Sequence, residues 1–151
     1  MTLEESKKIK LSEHFTLYEA IYSHTAEVNR IDNMPDKRII NNLTQLCKQV
    51  LEPIRRQYNK PIIISSGYRN AILNAMVGGA SGSQHVQGTA MDIKTKDIND
   101  MQLLWNMIKD MLDKGSIECR QLINEHNLSW IHISINDKYH SYRKNQIVYV
   151  R

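Results

Sequence analysis

Two histidines and an aspartate stand out as residues that could do chemistry. In 83-SQHVQGTAMDI-93, His85 sits in a polar, glycine-bearing loop and Asp92 falls inside the short apolar run that follows. In 130-WIHISI-135, His132 interrupts a β-branched stretch. A carboxylate between Met91 and Ile93 poses an electrostatic problem, since an unpaired buried ion is strongly unfavourable. Two imidazoles and one carboxylate are a common ligand set for a catalytic zinc, which keeps one coordination position open. A divalent cation opposite Asp92 would hold it ionised.

Strand periodicity sorts these residues from their apolar neighbours. Successive strand side chains point to opposite faces. Ile131, Ile133 and Ile135 therefore share a core face, while Trp130, His132 and Ser134 share the other, as in the wall of a cleft. Over 89-TAMDI-93, Met91 and Ile93 face the core; Asp92 faces away beside small Ala90, which leaves space in front of it. Gly88 allows the loop to fold back tightly, bringing His85 towards the same place.

The positioning elements follow from the rest of the chain. Thr16 is placed to cap a short helix over about 17–23, with Glu19 completing a capping box. From Asp36, Ile39, Ile40, Leu43, Leu46, Cys47, Val50, Leu51 and Ile54 recur at helical spacing, and Pro53 is expected to bend or interrupt the last turn. Residues 61–65 read as a strand, 66–88 as mostly loop with a helical turn near 71–75, and 89–94 as a second strand. A helix over about 97–113 presents Ile98, Met101, Leu104, Trp105, Ile108, Met111 and Leu112 on one face. Strands at 120–124, 130–135 and 146–150 close the chain. The expectation is one α+β domain over residues 1–151, with N-terminal helices packed on a small, mainly antiparallel sheet.

Composition narrows the setting. A chain of 151 residues, 41% hydrophobic and 24% charged, reads as one ordinary globular domain. No apolar run approaches the roughly 20 residues of a membrane helix, and the N-terminus shows no signal-peptide pattern. Synthesis in a cytoplasm is the expectation, with no membrane partner. The two cysteines, Cys47 and Cys119, lack CxxC spacing, and Cys47 reads as a small buried hydrophobe. A net charge of +4 favours a polyanionic partner, but the basic residues are scattered, so no nucleic-acid partner is expected.

The segments 65-SSGYRNAILNAMVGGASGSQHVQGTAMDI-93 and 130-WIHIS-134 resemble the signatures of the M15 zinc peptidases, in particular the D-alanyl-D-alanine carboxypeptidase-like subfamily. Ser83, His85, Gly88, Ala90 and Asp92 match its SxHxxGxAxD pattern, and His132 falls in its W-[VI]-H-[VI]-S strand. The stretches 11–20, 31–35 and 50–55 resemble the N-terminal half of the same family. The resemblance implies a DD-peptidase/hedgehog-like fold and one Zn2+ per chain held by His85, Asp92 and His132. It also implies metal-assisted hydrolysis of amide bonds in bacterial peptidoglycan. Arg69, in the SGYR motif, would bind the substrate's carboxylate or polarise its carbonyl, with Ser83 and Trp130 as further substrate contacts. Ser66, Tyr68, Asn74 and Gln84 read as loop organisers.

One position departs from the pattern. Many family members carry an acid or base three residues before the second zinc histidine, where this chain has Ser129. If 120–125 and 130–135 form a hairpin with a four-residue connection, Glu125 opposes Trp130 and shares the face of His132, making it the candidate general base. His126, His140 and Asp137 stand behind it as substitutes, and Tyr139, Tyr142 and His140 read as a cleft rim. His14 and His24 read as surface or packing residues. Activity as a carboxypeptidase or an endopeptidase fits the motifs equally. A small basic domain of this kind fits a phage or prophage lysin acting at the cell wall as a monomer. The alternative is a zinc-containing wall-binding or virion module that has lost turnover.

Overall fold

The computed structural model describes residues 1–151. Helix α1 (Leu3–Ser6) leads into a small hairpin of β1 (Lys10–Ser12) and β2 (Phe15–Thr16), then α2 (Leu17–Ile21) and α3 (His24–Val28). Thr16 and Glu19 form the expected capping box at the start of α2. The long helical segment comprises α4 (Lys37–Leu46), a wider π turn (Cys47–Leu51) and α5 (Glu52–Tyr58). Pro53 does not bend or interrupt the last turn, contrary to the expectation from sequence. The helix runs on to Tyr58, and the irregularity lies upstream in the π turn, which loosens the hydrogen-bond ladder where proline cannot donate. Asn59, with φ of 59°, supplies the left-handed stop.

The sheet contains β3 (Ile62–Ser66), β4 (Ala90–Thr95), β5 (Gln121–Glu125), β6 (Trp130–Ser134) and β7 (Gln146–Val150) in the spatial order β3-β4-β6-β5-β7. All neighbours are antiparallel except β5 and β7, which run parallel. Short helix α6 (Ala71–Met76) and a 3-10 turn (Gln84–Gln87) lie between β3 and β4, and α7 (Met101–Asp113) follows β4 after a 3-10 turn at Ile98–Asp100. Ile98 is 78% exposed and does not join the face of Met101, Leu104, Trp105, Ile108, Met111 and Leu112, all of which are buried. The tighter first turn breaks the 3.6-residue period at that end.

One core joins the helices to the sheet. Met91, Ile93, Ile131, Ile133 and Leu122 meet Leu43, Leu46, Val50, Leu51 and Ile54 of the long helix and Leu104, Trp105 and Ile108 of α7. Cys47 and Cys119 are buried within it, and burial raises both thiols, Cys119 to about 12. The fold is therefore a single α+β unit with helices on one side of a mixed, mainly antiparallel sheet. No helix is long and apolar enough to cross a membrane.

Candidate metal centre

Strand register brings distant residues into one row on the face turned away from the core. Ser66 pairs with Asp92, Asp92 with His132, His132 with Ile123, and Ile123 with Val148. Directly opposed residues share a face, so Asp92 and His132 stand side by side. His85 arrives from the 3-10 turn before β4. The Ser83 hydroxyl accepts the His85 N–H at 3.2 Å, and Gly88 closes the turn with φ of 70°.

His132 Nδ1 lies 3.1 Å and His85 Nε2 3.3 Å from the same oxygen, Asp92 Oδ1. Single donor atoms of the three residues all lie within 4.8 Å of one another. A tetrahedral ion with bonds of about 2.0–2.1 Å places neighbouring ligand atoms about 3.3–3.4 Å apart, so the spacing matches a zinc shell.

The protonation pattern points the same way. His85 Nδ1 is 2.7 Å from the Gly67 carbonyl, which can only accept, so the ring proton sits on Nδ1. In the neutral ring Nε2 then presents a lone pair to a carboxylate oxygen. Two acceptors face each other, and a cation between them resolves the conflict. Burial alone would raise the Asp92 pKa, but its surroundings, the His132 hydrogen bond foremost, hold it well below the ordinary carboxylate range. The residues present fit a divalent metal.

Gly67 makes this arrangement possible. A Cβ there would stand 2.1 Å from the Ala20 carbonyl oxygen, so only glycine lets the end of β3 pass so close to α2. Immediately beyond it, the Arg69 side chain reaches back, with Nη1 donating to Ser66 Oγ at 3.2 Å and Nε to Asn74 Oδ1 at 3.1 Å. Burial lowers the Arg69 pKa, while Asp92 opposes that shift. Arg69, Ser66, Tyr22, His24 and Val77 help line a cavity of about 440 Å³ at the β3 side of the centre. His24 is thus a cavity wall, a placement that its sequence context does not reveal.

On the other side, the hairpin has the expected register. Glu125 opposes Trp130 across a four-residue connection and shares the face of His132, as its diagonal neighbour at about 7–8 Å between Cα atoms. Trp130 is half-buried, and its ring lies 5.1 Å from that of His126. The Ser129 hydroxyl donates to the His126 carbonyl. Asp137 and His140 bond to each other and to the loops around them, in a cluster separate from His85, Asp92 and His132.

Gln84 is more than a local loop organiser, because its side chain bridges Arg120 and Asp137. Arg120 and Glu52 were not singled out by the sequence. For Glu52 a signal existed: an acidic residue at a core position of the helical pattern, between Leu51 and Ile54.

Fold and site together define an α+β domain whose open sheet face carries a His–Asp–His cluster with the spacing of a metal-ligand set. A sequence model of the family described as Peptidase M15 matches residues 13–134, and the chain belongs to that family. This membership makes it a peptidase of the zinc-dependent type. No curated protein matches the chain.

Proposed function

We propose that this protein hydrolyses amide bonds in bacterial peptidoglycan, in stem peptides or in their cross-links, with one zinc held by His85, Asp92 and His132. The observation that carries the reading is the convergence of two imidazole nitrogens on Asp92 Oδ1, on an open sheet face that also bears a carboxylate, Glu125. Zinc bound there supplies Lewis-acid polarisation of the scissile carbonyl and a nucleophile at neutral pH.

The chain's own residues complete the reaction. Glu125 accepts a proton from the attacking water and returns it to the leaving nitrogen, so it serves as base and then as acid. Arg69 offers a planar fork to a carboxylate or carbonyl oxygen of the substrate on the β3 side. Trp130 forms an apolar wall beside Glu125, and Ser83 acts near the substrate through the His85 turn that it caps. A net charge of +4 favours approach to an anionic wall, which suits a lysin released by or carried on a phage.

The test is the release of new amino groups from purified peptidoglycan, with zinc content measured alongside. Wild type is expected to release them, and Glu125→Gln to keep its zinc while losing about 10²–10⁴-fold in turnover. Wild type that holds zinc yet cleaves no wall preparation would replace this reading with a binding or virion module. Full activity in Glu125→Gln would remove Glu125 as the base and leave the peptidase in place.

A further inference from the structure

Arg120 is a buried cation, 7% exposed, that has no carboxylate in direct contact. A charge so placed is tolerated only when its donors are satisfied. Its Nη1 donates to Gln84 Oε1 at 3.0 Å and to Gln121 Oε1 at 2.9 Å. Its Nε donates to the Ser141 carbonyl at 2.9 Å, and Nη2 to Ser141 Oγ at 3.3 Å.

Gln84 continues the chain of contacts. Its amide nitrogen donates to the Ile135 carbonyl at 2.8 Å and to Asp137 Oδ2 at 3.2 Å. The amide therefore has one workable orientation, with oxygen towards the guanidinium and nitrogen towards two acceptors. Asp137 Oδ2 also accepts from Thr89 Oγ1 at 2.6 Å, and Oδ1 from the backbone N–H groups of Tyr139 and His140. Burial would raise its pKa, yet these donors, Thr89 foremost, hold it down at about 2. His140 extends the set to the Gly82 carbonyl through Nε2.

The three side chains thus join the residue before β5, the segment leaving β6 and the turn that carries His85. Gln84 is the immediate neighbour of His85 and is only 5% exposed. From the opposite side, His85 is held through Nδ1 by Gly67.

We propose that Arg120, Gln84 and Asp137 form a clamp that positions His85 for the metal, so that metal affinity depends on residues that never touch the ion. The inference rests on the zinc-peptidase reading of the centre. Hydrogen-bond partners behind metal ligands affect affinity by about 10–100-fold, and the clamp acts in the same way through the backbone of the turn.

The test uses the full chain as Arg120→Met and as the gentler Asp137→Asn. Zinc dissociation constants are measured by chelator competition, and the cobalt-loaded proteins are compared by visible absorption. Both variants are expected to bind zinc more weakly, Arg120→Met by about 10–100-fold, with an altered cobalt spectrum. If Arg120→Met does not fold, Asp137→Asn decides alone. A variant that loses thermal stability but keeps wild-type zinc affinity and an unchanged cobalt spectrum would overturn the clamp. Wild type that takes up neither metal would instead overturn the centre itself, and the clamp with it.

Discussion

At Glu52 and at Asp92 a carboxylate lies in the interior beside histidine, and the two groups offset the cost of burial in opposite ways. Glu52 is 2% exposed, and the chain itself supplies its partners. Oε1 accepts from Ser12 Oγ at 2.7 Å and from the His14 N–H at 2.8 Å, while Oε2 meets His14 Nδ1 at 2.6 Å. The result is a lock between the β1–β2 hairpin and the start of α5. At Asp92 both imidazoles crowd one oxygen, and one of them turns a lone pair towards it. Glu13, His14 and Glu52 also lie close enough to one another to suggest a metal site. Proximity therefore does not separate the two groups. What separates them is whether donors answer both oxygens of the carboxylate, as at Glu52, or an acceptor nitrogen of a neighbouring ring faces it, as His85 Nε2 does at Asp92.

Substitution can break this comparison. Asp92→Asn keeps the shape and removes the charge, and hydrolysis is expected to fall by at least about 10³-fold, equivalent to about 4 kcal/mol of transition-state stabilisation. Equal activity in that variant would place the chemistry elsewhere. Glu52→Gln should leave the folded protein's specific activity near that of wild type. Its cost is expected in stability, about 1–3 kcal/mol by denaturant unfolding, because Ser12 and His14 lose a charged acceptor. A loss of activity without a loss of stability would reverse the assignments of the two clusters.

Acid unfolding gives the smallest effect. Burial acts to raise the Glu52 pKa, but the bonds from His14 and Ser12 leave it below the ordinary value of 4.5. A depressed folded-state pKa stabilises fully above the unfolded-state value, and that contribution disappears as pH falls through the folded one. Asp137 behaves alike, its contribution being lost between about 4 and about 2. Wild type should therefore lose stability on acidification below about pH 4.5, and Glu52→Gln should lose less over that range. Parallel acid profiles for the two proteins would remove Glu52 from the lock.

The two clusters also differed in how far the sequence revealed them. Asp92 and His132 were legible because each sits in a strand whose alternation separates a core face from an open one. Glu125 was legible in register because a four-residue connection fixes which residue opposes Trp130. Glu52 depends on partners 38 and 40 residues away, across a contact between hairpin and helix that no local period encodes. Arg120 is similar, since its partners come from two loops. Ile98 and Pro53 mark where helical periodicity failed, at a 3-10 start and at a π turn that each change the residues per turn.

The central claim is that His85, Asp92 and His132 hold one zinc ion, and elemental analysis of purified protein tests it most directly. Wild type and Glu52→Gln should each carry one zinc per chain, and Asp92→Asn should carry none. Folded wild type that binds no zinc, or zinc that stays with Asp92→Asn and leaves with Glu52→Gln, would contradict the account.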